Sequence, residues 1–278
     1  MVEVGKVNTL EVSRNSDFGL LLDGGDLGEI LMPKRYVSKE WKPGDKIVAF
    51  VYLDSEDRLT ASTDRPKAMV GEFALLRAVD VNAVGAFLDW GMPKDLFVPF
   101  REQRVKMRQG ESYIVHLYYD RASGRIAASS KLDKYLESSR KFYKSGEEVD
   151  LMIWQKSDLG YKAIINNERW GMVFFNEVFQ TLRRGQRVKG FIKQVRPDGR
   201  IDLCLDKPGY EKVTLLTDKI LNYIKEQGGF MPITDKNPPE EIYGVFGVSK
   251  KTYKKAIGAL YKQRMITIEA AGTRLVGK

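Results

Sequence analysis

Few residues in this chain could carry covalent or metal chemistry. The 278 residues hold one histidine, His116, and one cysteine, Cys204. A single imidazole leaves no second for a metal cage, and a single thiol excludes an internal disulfide and any thiolate zinc cluster. No Asp/Glu cluster falls at metal-ligand spacing, and no glycine-rich loop of the phosphate-cradling kind is present. What the chain does carry is positive charge, +9 net, unevenly spread. Residues 67–145 hold 14 basic and 9 acidic groups and residues 210–278 hold 12 and 7, whereas residues 1–66 hold 9 and 12 and residues 146–209 hold 11 and 9. Lys250, Lys251, Lys254 and Lys255 form the densest basic cluster. Ammonium groups so placed grip phosphates, and charge concentrated in parts of the chain fits a polyanion partner.

The elements that must position such groups repeat. Gly5, Gly19 and Gly44 recur 66 residues on as Gly71, Gly85 and Gly110, and again 75 residues further as Gly146, Gly160 and Gly185. The unit tails agree too, as Asp57-Arg58-Leu59, Gly124-Arg125-Ile126 and Gly199-Arg200-Ile201. A unit of about 65 residues is near the lower limit for an independent core, so each repeat is a small domain. The expected organisation is barrels over 1–66, 67–130 and 146–209, a linker with a docking helix over 131–145, and a different domain over 210–278. His116 falls in the column of Phe50 and Phe191. It is expected to be a strand residue, and no part of a triad.

Each repeat reads as five short strands. Ile47, Ala49 and Val51 align with Tyr113, Val115 and Leu117 and with Val188, Gly190 and Ile192, one inward face at period two. Pro197-Asp198-Gly199 is a hairpin turn, since glycine accepts the positive φ required. Short strands with glycine-rich turns and one buried face predict small closed barrels. From Tyr210 the pattern changes. A helix with a Leu216, Ile220, Leu221 and Ile224 stripe ends at Gly228-Gly229. A second helix starts at Pro239 and stops at Gly247. A third, capped by Ser249, runs from Lys250 to Arg264, with Leu132, Tyr135, Leu136 and Phe142 giving the linker helix its own apolar stripe. Met265–Ile268 and Thr273–Val276 then form a hairpin. The fold class is mainly β with a C-terminal α+β winged-helix domain. Arg, Asn and Gln are scarce on the third helix, which favours backbone contact over base readout. No apolar run reaches the roughly 20 residues that span a bilayer, and Met1-Val2-Glu3-Val4-Gly5 is no signal peptide. A reducing cytoplasm is the expected location, with no membrane partner.

Gly85-Ala86-Phe87-Leu88-Asp89, then Leu96-Phe97-Val98-Pro99, Gly110 and Gly124-Arg125-Ile126, resembles the S-one RNA-binding domain, a five-stranded OB-fold; Gly185–Gly190 and Val195–Leu203 resemble it more closely still. The resemblance implies single-stranded RNA binding on the face of strands two, three and five. Aromatics would flank the strand-two glycine, a third side chain would lie on strand three, and an acid and an arginine would frame strand five. Carried over, the first module offers Phe18, with Leu21 and Leu31 at the other positions and Asp54 with Arg58. The second offers Phe87, with Val84 before the glycine and Val98 on strand three, and Asp120 with Arg125. The third offers Tyr161, Phe174 and Arg200, with Leu159 and Lys162 at the flanking positions and Arg196 replacing the acid. Rings stack on bases for about 1–3 kcal/mol each, and linked weak modules gain by effective concentration. The third platform is the poorest, which suits a spacer.

Three such barrels and a winged helix opening on Gly247-Val248-Ser249-Lys250-Lys251-Thr252 closely resemble the bacterial conserved virulence factor B family over the whole chain. That resemblance implies a non-catalytic, monomeric RNA-binding regulator acting after transcription, without a cofactor. The winged helix would assist through Lys250, Lys251, Lys254 and Lys255. The alternative is a transcription regulator whose winged helix sits on duplex DNA.

Overall fold

The computed structural model describes residues 1–136, 142–178, 181–205 and 211–276, with the side chains of Asn176 and residues 211–215 left aside. The chain divides into two compact units, Met1–Ser138 and Ser139–Lys278.

The first unit holds two closed barrels. Strands β1 (Val7–Ser16), β2 (Gly19–Asp23), β3 (Glu29–Pro33), β4 (Lys46–Leu53) and β5 (Leu59–Ser62) close in the order β1-β2-β3-β5-β4. Strands β6 (Phe73–Val81), β7 (Gly85–Asp89), β8 (Leu96–Pro99), β9 (Ser112–Asp120) and β10 (Arg125–Ser129) close in the order β10-β8-β7-β6-β9. The predicted inward face of strand four is observed: Ile47, Ala49 and Val51 sit in the first core, Tyr113, Val115 and Leu117 in the second. The glycine opening strand two is required by proximity, since a Cβ on Gly85 would run into the carbonyl oxygen of Val98 on β8.

The outer face of β4 is buried as well. Phe50 and Tyr52 point away from their own barrel into the core of the second, among Ala68, Trp90 and Met92. The seam reaches the N-terminus, where the Gly5 carbonyl accepts a hydrogen bond from the Val70 backbone N–H at 3.0 Å. Gly5 has φ +81°, and a Cβ there would collide with the Val70 side chain. After β10 the chain makes a helical turn, α1 (Asp133–Leu136). Leu132 and Leu136 are buried, and Tyr135 stacks on His116 with ring centroids 3.7 Å apart. The docking expected of the linker is therefore present at its start. Phe142 does not share in it, being 94% exposed. Residues 137–141 of that expectation lie outside the described residues.

In the second unit, β11 (Glu148–Lys156), β12 (Gly160–Ile165), β13 (Arg169–Phe174), β14 (Arg187–Val195) and β15 (Ile201–Cys204) close a third barrel in the order β11-β12-β13-β15-β14. The remainder is α2 (Glu211–Glu226), β16 (Phe230–Met231), α3 (Pro239–Phe246), α4 (Lys250–Lys262), β17 (Ile266–Glu269) and β18 (Gly272–Leu275). Leu216, Ile220, Leu221 and Ile224 of α2 meet Tyr253, Ile257 and Leu260 of α4 in one core, as their 3.6-residue spacing requires. Ser249 caps α4 by accepting from the Thr252 N–H at 3.0 Å. The helix ends at Lys262, two residues before the sequence limit, because the chain turns left-handed at Arg264 with φ 57°. Strand β16, absent from the sequence reading, adds an edge to the wing in the order β16-β18-β17.

Candidate nucleic-acid interface

The second barrel presents the best-formed surface. On β7 the alternation sends Ala86 and Leu88 into the core and leaves Phe87 facing outward. Directly across the ladder on β8 stands Phe97, its ring centroid 5.2 Å from that of Phe87 and tilted by 36°. The strand-three position had been assigned to Val98, which is fully buried. At period two, a shift of one residue exchanges the faces, so Phe97 takes the outward position and Val98 belongs to the core. The rings open onto a cleft of about 520 Å³ that Val84, Tyr118, Arg101 and Arg125 also line. Tyr118 is held from behind, where Tyr135 stacks at 6.2 Å and the Lys134 ammonium sits 5.6 Å over its ring. Lys134 is itself fixed by Glu102 at 2.6 Å. An apolar cleft with two stacked aromatics and arginines at its edge suits a planar base with its phosphates.

The strand-five groups are placed differently from expectation. Asp120 and Arg125 do not pair. Asp120 holds its own turn, accepting from the Ala122 N–H at 3.2 Å and the Ser123 hydroxyl at 2.9 Å. Arg125 instead reaches the first barrel and bonds Asp57, which also accepts from the Lys94 ammonium at 3.2 Å. Hydrogen bonds from Arg125 and then Lys94 hold the Asp57 carboxyl below its ordinary value. In the first barrel Asp54 and Arg58 do pair, Nε and Nη2 lying 3.0 and 2.9 Å from one carboxylate oxygen. Burial raises the Asp54 carboxyl, and bonds from Arg58 outweigh it and leave it lowered. Phe18 stands at the β1–β2 turn, 76% exposed, while Leu21 and Leu31 face each other across β2 and β3 where the second barrel has its rings.

In the third barrel Tyr161 is a core residue, 6% exposed. It follows Gly160 by one position, and that places it on the inward face with Ala163 and Ile165. Phe174 is half-buried beneath the Arg196 guanidinium, 5.5 Å from the ring centroid. Arg196 is in turn held by buried Asp202 at 2.9 and 3.0 Å. Arg200 is exposed and lies 3.5 Å from Asp198. The outer face carries a group the sequence reading missed. The Lys162 ammonium lies 3.8 Å from the Trp170 centroid and 5.0 Å from that of Trp154, the two rings being 5.2 Å apart. Trp154 sits where the β11 register shifts, between Ile153 and Gln155, and there alternation stops predicting faces. Phe97 and Tyr118, by contrast, were readable from alternation alone.

On α4, Lys251 and Lys255 are exposed, and Lys254 is 3.5 Å from Asp235. Lys250 is half-buried and donates to the Lys236 carbonyl at 3.2 Å. Among the described residues no group of three His, Cys, Asp or Glu could hold a metal ion. No described helix is long and apolar enough to cross a membrane.

Comparison with known proteins follows the same division of the chain. Residues 4–64 match the S1 domain, and residues 218–275 match the CvfB-like winged helix domain. Both ends are thus domain types that bind nucleic acid. An uncharacterized Bacillus subtilis protein, YitL, is 28% identical, covering 97% of this chain and 92% of that one. A conserved virulence factor B of Staphylococcus epidermidis is 24% identical, over 99% of this chain and 95% of its own. A solved multidomain protein with nucleic acid binding domains from Streptococcus pneumoniae is 21% identical over 98% of both chains, with a TM-score of 0.41. Through those domain models at its two ends and the curated relatives along nearly its whole length, the chain is similar to the conserved virulence factor B proteins.

Proposed function

We propose that this protein binds single-stranded RNA through its tandem barrels, without catalysis, and acts in the cytoplasm as a post-transcriptional regulator. One observation carries the reading: Phe87 and Phe97, paired across β7 and β8, open with Tyr118 and two arginines onto one cleft. A single strand offers splayed bases for such rings, whereas duplex DNA keeps its bases stacked and out of reach. The first barrel adds aliphatic contact through Leu21 and Leu31, with Phe18 at the rim. Phe174 and Arg200 add contacts of the third barrel's own. The winged helix adds phosphate contacts through Lys251 and Lys255 with Lys250 and Lys254 beside them, and the active species is a monomer.

The test is fluorescence anisotropy of the full chain with labelled single-stranded RNA, single-stranded DNA and duplex DNA. Preference for RNA, weakened about fivefold or more by Phe87→Ala, supports the reading, that loss being the low end of one stacked base. Preference for duplex DNA that survives Phe87→Ala and is lost with Lys251→Ala and Lys255→Ala would make the protein a transcription regulator.

A further inference from the structure

The cleft on the second barrel is not closed by that barrel alone. Leu53 of the first barrel lines it together with Trp90 and Lys94. The turn that follows Leu53 carries Asp57, with φ 60°, and its carboxylate engages Lys94 and Arg125, both residues of the cleft wall. Two of the three cations lining the cleft are therefore bound by one carboxylate, and the third, Arg101, has no carboxylate partner among the described residues. The Lys94 ammonium also donates to the Asp54 carbonyl at 2.9 Å, and the Trp90 indole N–H donates to the Lys94 carbonyl at 2.6 Å, so the lysine is held at the mouth.

These ion pairs are not what joins the barrels. Phe50 and Tyr52 are buried in the second barrel's core, whereas the Arg125 and Asp57 side chains are 55% and 43% exposed. Pairs so exposed hold their partners weakly and exchange readily with solvent ions. A phosphodiester presents the same two oxygens as a carboxylate and forms the same forked bond with a guanidinium. We infer that Asp57 is a built-in phosphate substitute: it occupies Arg125 and Lys94 in the free protein, and a nucleic-acid phosphate displaces it when a strand enters the cleft. The inference rests on the reading that this cleft takes a single strand. It deepens that reading by making the first barrel a competitor for the second barrel's cations. Strands that bring a phosphate to the cleft mouth are admitted, and isolated nucleobases or short apolar ligands leave the pair closed.

The experiment is equilibrium binding of labelled single-stranded RNA to the full chain over a salt series. The proteins are wild type, Asp57→Asn, Asp57→Gly, Asp57→Asn with Arg125→Ala, Phe87→Ala, and Asp26→Asn as a control for net charge. Asparagine and glycine both accept the left-handed turn, so each variant keeps the local backbone. Asp57→Asn is expected to bind roughly three- to tenfold more tightly at low salt, the range that two exposed ion pairs allow. Its log–log salt slope should stay within about 0.7, one phosphate, of the wild-type value, because both complexes neutralise the same phosphates. Arg125→Ala in that background should remove the gain, and Asp26→Asn should not reproduce the gain. If Phe87→Ala weakens binding while both Asp57 variants bind as wild type or worse, the substitute is refuted and the cleft stands. If Phe87→Ala changes nothing, the cleft reading itself fails, and the inference with it.

Discussion

Phe50 of the first barrel meets Trp90 of the second edge-on, ring centroids 5.8 Å apart and planes at 76°, with Tyr52 stacked behind it at 5.8 Å. An outer-face residue of one barrel is thus a core residue of the next. Phe50→Ala should cost about 3–5 kcal/mol of unfolding free energy, the range for a truncated buried phenylalanine. Chemical denaturation would show it, and tryptophan fluorescence should report the loss at Trp90. A cost near zero would mean the barrels fold as separate bodies.

His116 lies in the same column of the repeat and is covered by Tyr135. Burial, with a smaller push from Lys134, takes its pKa down from 6.5 to about 4, against a raising hydrogen bond to the Gly71 backbone. The folded state therefore binds fewer protons than the unfolded state between those two values. Stability is full above pH 6.5 and falls as pH drops towards 4, by about 3 kcal/mol in all. His116→Phe, which restores the residue type of Phe50 and Phe191, should flatten that part of the pH–stability curve. An unchanged curve would place the titration elsewhere.

The lysines of α4 are unequal. Lys250 and Lys254 have local partners at 3.2 and 3.5 Å. Lys251→Ala with Lys255→Ala should lower the salt slope for single-stranded RNA by about 1.4. Lys250→Ala with Lys254→Ala should lower it less. Salt titrations of the two double variants decide the order.

In the third barrel, Lys162→Ala removes an ammonium held over two indoles. The expected cost is about 1 kcal/mol in stability, with a change in tryptophan emission. RNA affinity should fall less than with Phe87→Ala, because this cation is already engaged by protein rings.

Much of the architecture was legible. Three glycines in register and one alternating strand per repeat imply three barrels. The Ser249 cap and Gly247 bracket the helices around them. What escaped had physical causes. Alternation identifies two faces but not whether the second is wet, so it gave no sign that a neighbouring barrel covers Phe50 and Tyr52. The assignments of Val98 and Tyr161 each missed by one residue, and at period two that is enough to move a side chain between core and surface. Asp57 gave no signal at all, because its partners lie 37 and 68 residues away, on the next barrel.

The repeat also conceals unequal duties for equivalent positions. Gly5, Gly71 and Gly146 all adopt positive φ, yet a Cβ on Gly71 or Gly146 would meet nothing within 4 Å, while one on Gly5 would strike Val70 of the neighbouring barrel. The modules are therefore not interchangeable parts. A third barrel moved to the front would bring Phe191 to the place of Phe50 but Lys193 to the buried place of Tyr52. The order of the domains is written into the seam, and shuffling them would yield a chain of intact barrels with one mismatched joint.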